Sequence, residues 1–116
     1  MHFKLIVAMV DDDKTDAVIA AAKREGATGA SVVNNTRGEG LMMKKTFLGL
    51  ELDTPRNMIL FLVEKHLSRK VLETIGEVAE LDKVSGAGIA FMVDVEDAIG
   101  LSGQIEQITD RVEEEL

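Results

Sequence analysis

The sequence predicts an α+β fold in which two helices cover one face of an antiparallel sheet. Four short apolar runs have the length of strands, and two longer segments place apolar residues at helical spacing. These elements follow one another as strand, helix, strand, strand, helix, strand. With 116 residues, 46% of them hydrophobic, the chain holds material for one domain and one core, residues 1–116.

Phe3 to Val10 is apolar except for Lys4 and reads as the first strand. Asp11, Asp12 and Asp13 then offer an N-cap and first-turn negative charge to a helix running to Arg24, where Thr15, Val18, Ile19 and Ala22 share a face. Gly26 and Gly29 end that helix and lead into a second strand, Ala30 to Thr36. Asn57 to Glu64 is the third strand. Leu67 to Leu81 is the second helix, with Val71, Leu72, Ile75, Val78 and Ala79 on its buried stripe. A loop from Asp82 to Gly88 precedes the fourth strand, Ile89 to Val93.

This order is the split βαβ, or ferredoxin-like, arrangement, which leaves the sheet face opposite the helices bare. A bare face on a monomer should be polar, giving strands that alternate. Three strands do not: Ile6/Val7, Leu60/Phe61 and Phe91/Met92 place large apolar groups on both faces. The helix-free face therefore needs a cover. It is either other copies of the chain or the C-terminal tail, residues 102–116, where Ile105, Ile108 and Val112 recur at helical spacing.

Composition narrows the function classes. There is no cysteine, which excludes disulfides, thiol catalysis and Cys-ligated zinc. A net charge of −8 opposes nucleic-acid binding, and the lack of Trp and Tyr removes the platforms on which single strands stack. The apolar run Met58 to Val63 is far shorter than the ~20 residues of a membrane span, so no direct membrane insertion is expected. The N-terminus has no small-residue cleavage site, and the expected location is cytoplasmic. No nucleophile–base pair or carboxylate dyad is recognisable, so the chain does not read as an enzyme. Asp11 to Asp13 lack calcium-loop spacing, His2 and His66 are isolated, and Glu113 to Glu115 read as a solvated tail.

The segment between the second and third strands, residues 37–56, is long for so small a domain, and such connections are usually functional or disordered. Arg37-Gly38-Glu39-Gly40 at its base can bring backbone N–H groups close to an anion, or can simply turn the chain. Gly86-Ala87-Gly88 offers the same choice, without the strand-before, helix-after setting of a dinucleotide fingerprint. Lys44, Lys45 and Arg56 are candidates to meet phosphate or acidic partner groups, with solvated surface charge as the alternative. Met42, Met43, Phe47, Leu48, Leu50 and Leu52 give the segment an apolar character suited to packing on a neighbour or inserting into a partner.

Taken in order, Lys4-Leu5-Ile6, the Gly26–Val33 turn and strand G-A-T-G-A-S-V-V, R-G-E-G at Arg37–Gly40, and S-G-A-G-I-A-F-M-V-D-V-E-D-A at Ser85–Ala98 resemble the P-II nitrogen-regulatory signalling family. The resemblance spans about Phe3 to Leu101. It implies a ferredoxin-like homotrimer, joined through its sheets, that binds adenine nucleotides in clefts between subunits. Residues 37–56 would be that family's T-loop, reading ligand occupancy out to a protein target such as a membrane transporter or metabolic enzyme. Carried over onto this sequence, the ligand site comprises Thr28, Gly29, Ser31, Arg37, Gly38, Glu39, Gly40, Arg56, Leu62, Ser85, Gly86, Ala87 and Gly88, with Met42, Met43, Lys44, Lys45, Phe47 and Leu48 meeting the partner.

Two departures shift the expected ligand. The loop looks shorter than the family's and contains no Tyr, so tyrosine modification cannot occur there. Ile89 stands where a basic residue usually follows the second glycine of the GxG loop, and Ile99-Gly100-Leu101-Ser102-Gly103 replaces a pair of arginines. No cofactor is required on this reading. ATP, ADP or AMP enters as a regulatory ligand, with a mono- or diphosphate or a small anion favoured over ATP. A trimeric metal-tolerance or stress protein of the related ferredoxin-like type, and a small enzyme on the same fold, are the competing readings.

Overall fold

The structure is a computed structural model that describes residues 2–34, 46–47, 50–51 and 56–100. The elements are β1 (Phe3–Asp11), a 3-10 turn (Asp12–Lys14), α1 (Thr15–Arg24), β2 (Ser31–Asn34), β3 (Thr46–Phe47), β4 (Leu50–Glu51), β5 (Arg56–Glu64), α2 (Lys65–Val78) and β6 (Gly88–Asp94). Four strands form one antiparallel sheet in the order β2-β5-β1-β6. This is the ferredoxin-like α+β fold read from the sequence, with β1 and β5 in the middle and β2 and β6 at the edges.

Register resolves the non-alternating strands into two faces. Ile6 lies opposite both Phe61 and Met92, and Ala8 opposite Ile59 and Ala90. These residues join Val18 and Ala22 of α1 and Val71 and Ile75 of α2 in one core, in which Ile6, Ile59, Phe61, Val71 and Ile75 are fully buried. Withdrawing a side chain of Phe or Ile size from water stabilises the fold by about 1.5–3 kcal/mol. The other face carries Leu5, Met9, Met58, Leu60, Leu62, Ile89 and Phe91, all half-buried, with Val33 and Val93 exposed. The sheet is thus apolar on both sides. The tail expected to compete for the helix-free face, residues 102–116, lies outside the described residues.

Three expectations change in detail. The aspartates before α1 do not cap it through their side chains: Asp11 precedes the 3-10 turn with no side-chain cap bond, and α1 itself begins at Thr15 after Lys14. The Asp11 carboxylate turns instead to β5. The stripe of α2 buries Ser68 and Thr74 as well as Val71 and Ile75, while Leu72 and Val78 are half-buried. Ser68 is tolerated there because its hydroxyl donates to the Lys65 carbonyl at 2.6 Å, which leaves no unpaired polar atom. Finally, the long connection is not wholly irregular, since β3 and β4 pair with Thr46 opposite Glu51 and Phe47 opposite Leu50. Thr and Phe favour extended backbone.

Candidate functional site

Helix α2 ends in a string of tight turns that aims the chain back at the sheet. Ala79 N–H donates to Ile75 O, Leu81 N–H to Gly76 O, and Val84 N–H to Glu80 O. Lys14 donates to the Ala79 carbonyl at 3.1 Å, putting a cation at the negative end of the helix. The last turn, Val84-Ser85-Gly86-Ala87, is closed by Ala87 N–H donating to Val84 O at 3.1 Å. Gly86 occupies its third position at φ +79°, the backbone that a type II turn demands and that glycine adopts most easily. A Cβ on Gly86 would meet open space, whereas one on Gly88, at φ +147°, would lie 2.3 Å from the Met9 carbonyl oxygen. Gly88 is thus required by sheet packing, and Gly86 by turn geometry alone.

Ser85 and Gly86 are exposed, and among the described residues their N–H groups have no backbone acceptor. Arg56 anchors the turn from below. Its guanidinium is buried, donates from Nη2 to Gly86 O at 2.8 Å and from Nη1 to Ala87 O at 3.4 Å, and pairs from Nη1 with Asp11 Oδ1 at 3.2 Å. Asp11 and Arg56 are cross-strand partners at the end of the β1–β5 ladder. Next to this pair, Thr15 Oγ1 accepts from Asn57 Nδ2 at 2.7 Å, so the start of α1 is fastened to the same end of β5.

The remaining predicted residues fall elsewhere. Thr28 and Gly29 precede β2, Ser31 opens it exposed at the sheet edge opposite Leu60, and Leu62 lies half-buried on the helix-free face of β5 opposite Leu5. β2 and β6 are separated by three inter-strand gaps, about 14 Å, so one chain does not bring Thr28, Gly29 and Ser31 to the Ser85–Gly88 turn. Arg37, Gly38, Glu39, Gly40, Met42, Met43, Lys44, Lys45 and Leu48 lie outside the described residues, and Phe47 is in β3.

A groove of about 620 Å³ flanks the turn between α2 and β6. Its lining includes Glu73, Glu77, Glu80 and Asp82 against Arg69 and Lys83, with Leu72, Leu81 and Ile89 among the apolar contributors. Arg69 is held by Glu73 at 2.9 Å. Acidic charge therefore predominates beside the turn. No group of three or more His, Asp or Glu among the described residues is arranged to hold a metal ion.

The family profile described as Nitrogen regulatory protein P-II matches residues 3–104. The chain belongs to the P-II family. The family is regulatory by description. No curated protein sequence is matched. Among solved structures, the nitrogen regulatory PII-like protein CPII from Thiomonas intermedia K12, bound to ADP, AMP and bicarbonate, is similar with a TM-score of 0.60 at 18% identity, over 85% of this chain and 96% of that one. Its apo form gives 0.59 at 21% identity, over 82% and 90%. A PII-like signaling protein from Thermus thermophilus gives 0.58 at 19% identity, over 82% and 87%. At these identities the neighbours establish the fold that the P-II-like chain shares with them.

Sequence reasoning missed Asp11, which it assigned to a helix cap. Only the antiparallel register of β1 and β5 sets this acid and Arg56 opposite each other at the ladder's end. It also missed the acidic groove, although Glu73, Glu77 and Glu80 recur at helical spacing.

Proposed function

We propose that this P-II-like chain assembles as a homotrimer and senses an adenine nucleotide or a related small anion in clefts between copies. The observation that carries the reading is that Thr28, Gly29 and Ser31 lie at the β2 edge of the sheet and the Ser85–Gly88 turn leads into the opposite edge, β6. In a closed three-fold ring, the Ser85–Gly88 turn of one copy, with Arg56 and Arg37–Gly40, meets Thr28, Gly29, Ser31 and Leu62 of the next. The same closure covers the apolar helix-free face. Ser85 and Gly86 are exposed and their N–H groups have no backbone acceptor among the described residues, which suits an anion, and the Thiomonas protein's ADP, AMP and bicarbonate supply the chemical precedent.

The protein acts by binding and requires no cofactor. Residues 37–56 form the T-loop, and Met42, Met43, Lys44, Lys45, Phe47 and Leu48 present occupancy to a cytoplasmic protein target, a membrane transporter or a metabolic enzyme. Among the described residues no helix is long and apolar enough to cross a membrane.

Ligand choice follows from charge. Ile89 brings no cation to the turn, and Glu80 and Asp82 lie along the adjoining groove. A charge-assisted phosphate contact is worth ~1.5–3 kcal/mol, so one absent contact raises Kd on the order of 10–100-fold. AMP, ADP or a small anion such as bicarbonate is favoured over ATP. Isothermal calorimetry with AMP, ADP, ATP and bicarbonate on the assembled protein tests this. The expected result is binding of AMP or ADP at least as tight as ATP. Submicromolar ATP affinity clearly exceeding both would overturn the ligand order, and no binding by any of the four would overturn the site.

A further inference from the structure

Arg56 was a candidate ligand contact in the sequence, but its position in the fold gives it other work. We infer that Arg56 is a positioning residue: from beneath, it holds the Val84–Ala87 turn in the shape that offers the Ser85 and Gly86 N–H groups to an anion. The inference rests on the ligand-site reading above and deepens it by assigning who shapes the site.

The geometry is specific. Two nitrogens of one planar guanidinium reach two successive carbonyls, Gly86 O at 2.8 Å and Ala87 O at 3.4 Å. Holding Gly86 O fixes the planar Gly86–Ala87 peptide unit, whose N–H is that of Ala87 and points back to Val84 O, so the grip locks the closure of the turn that leaves Ser85 and Gly86 N–H without a backbone acceptor among the described residues. Within the four residues the turn is closed by one hydrogen bond, Ala87 N–H to Val84 O, and a Cβ on Gly86 would meet nothing within 4 Å, so the contacts of Arg56 add to few others. Arg56 in turn is fixed by the Asp11 carboxylate at 3.2 Å, on the neighbouring strand. Lysine would not reproduce this, since a guanidinium presents its donors in a fixed fork and an ammonium is a point charge. An arginine buried at 5% exposure and facing backbone carbonyls is placed to orient the turn.

The test uses the full-length protein with Arg56→Met, Arg56→Lys and Asp11→Asn. Calorimetry with AMP, ADP and ATP at a temperature well below unfolding reads the affinity of the folded state. Amide hydrogen exchange without ligand reads the turn itself. A positioning role predicts that Arg56→Met weakens all three nucleotides by a common factor of about tenfold or more, that Asp11→Asn weakens them less in the same pattern, and that Ala87 N–H exchange quickens about tenfold while Ile6 is unchanged. Loss growing with the number of phosphates would overturn the inference in favour of direct contact. Wild-type affinities together with wild-type Ala87 exchange in the variants would overturn it outright. If the wild type binds no nucleotide, the ligand reading fails but the exchange arm still decides whether Arg56 holds the turn. Should Arg56→Met not fold, Arg56→Lys and Asp11→Asn carry the same comparisons.

Discussion

Replacing each glycine of the Gly86-Ala87-Gly88 loop by alanine separates packing from turn shape. At Gly88 an added Cβ lies 2.3 Å from Met9 O and 3.2 Å from Leu81 Cδ2, at φ +147°. The oxygen belongs to the backbone of β1, paired with β6, so relief requires the two strands to part where Val10 faces Gly88. Backbone in a region that side chains rarely adopt costs about 1–3 kcal/mol. A disturbed ladder hydrogen bond adds about 1 kcal/mol. At Gly86 the Cβ meets nothing within 4 Å and the φ of +79° is the only penalty, about 1–2 kcal/mol. Gly88→Ala should therefore cost about 2–4 kcal/mol and exceed Gly86→Ala by about 1–2 kcal/mol. Urea unfolding followed by circular dichroism at one fixed protein concentration reads the difference, because midpoints of an oligomer move with concentration. A Gly88→Ala protein no less stable than Gly86→Ala would refute the argument that close approach to Met9 fixes the second glycine.

The two faces of the sheet give a second contrast. Phe61→Ala should lose about 3–5 kcal/mol of stability, since its ring is fully buried among the helices. Phe91→Asp, on the helix-free face opposite Val7, should leave the secondary structure intact and convert the proposed trimer to monomer in light scattering. A trimer surviving Phe91→Asp would argue that assembly uses another surface. A third expectation concerns acid. The hydrogen bond and charge of Lys4, 2.6 Å away, hold the Asp94 carboxyl below its ordinary value of 3.8. The folded state thus prefers the ionised form, and the contribution is present above pH 3.8 and fades as the pH falls through the lower folded value. The stability gap between wild type and Asp94→Asn should be open at pH 6 and close on acidification. A gap independent of pH would show that the pair contributes nothing.

Much of the fold was legible because apolar periodicity is local. The two helices could be read from the spacing of Val18 and Ala22 and of Val71 and Ile75, and the apolar second face from Ile6/Val7, Leu60/Phe61 and Phe91/Met92. Which member of each pair faces the helices was not legible, because it depends on register: Ile6 meets Phe61 and Met92, and Val7 meets Leu60 and Phe91. The same limit explains Asp11. An aspartate before a helix is a good cap in isolation, and only the non-local pairing with β5 brings a buried arginine to its carboxylate. Ser68 escaped the helical stripe because a small polar residue enters a core where its hydrogen bond is met nearby, here by the Lys65 carbonyl.

The candidate site was legible in its glycines and illegible in its geometry. A GxG loop invites an anion, but here one glycine answers to the Met9 carbonyl and the other to a turn, and the nearby arginine faces backbone. One sheet edge leads from the exposed Ser85 and Gly86, whose N–H groups have no backbone acceptor among the described residues, and the other carries Ser31. Unpaired edges invite uncontrolled association, which a closed ring of copies avoids while a chain left alone does not. If the ring also builds the cleft, assembly and ligand binding are linked: a ligand that bridges two copies binds the trimer and not the monomer, and must stabilise the trimer against dilution in proportion to its occupancy.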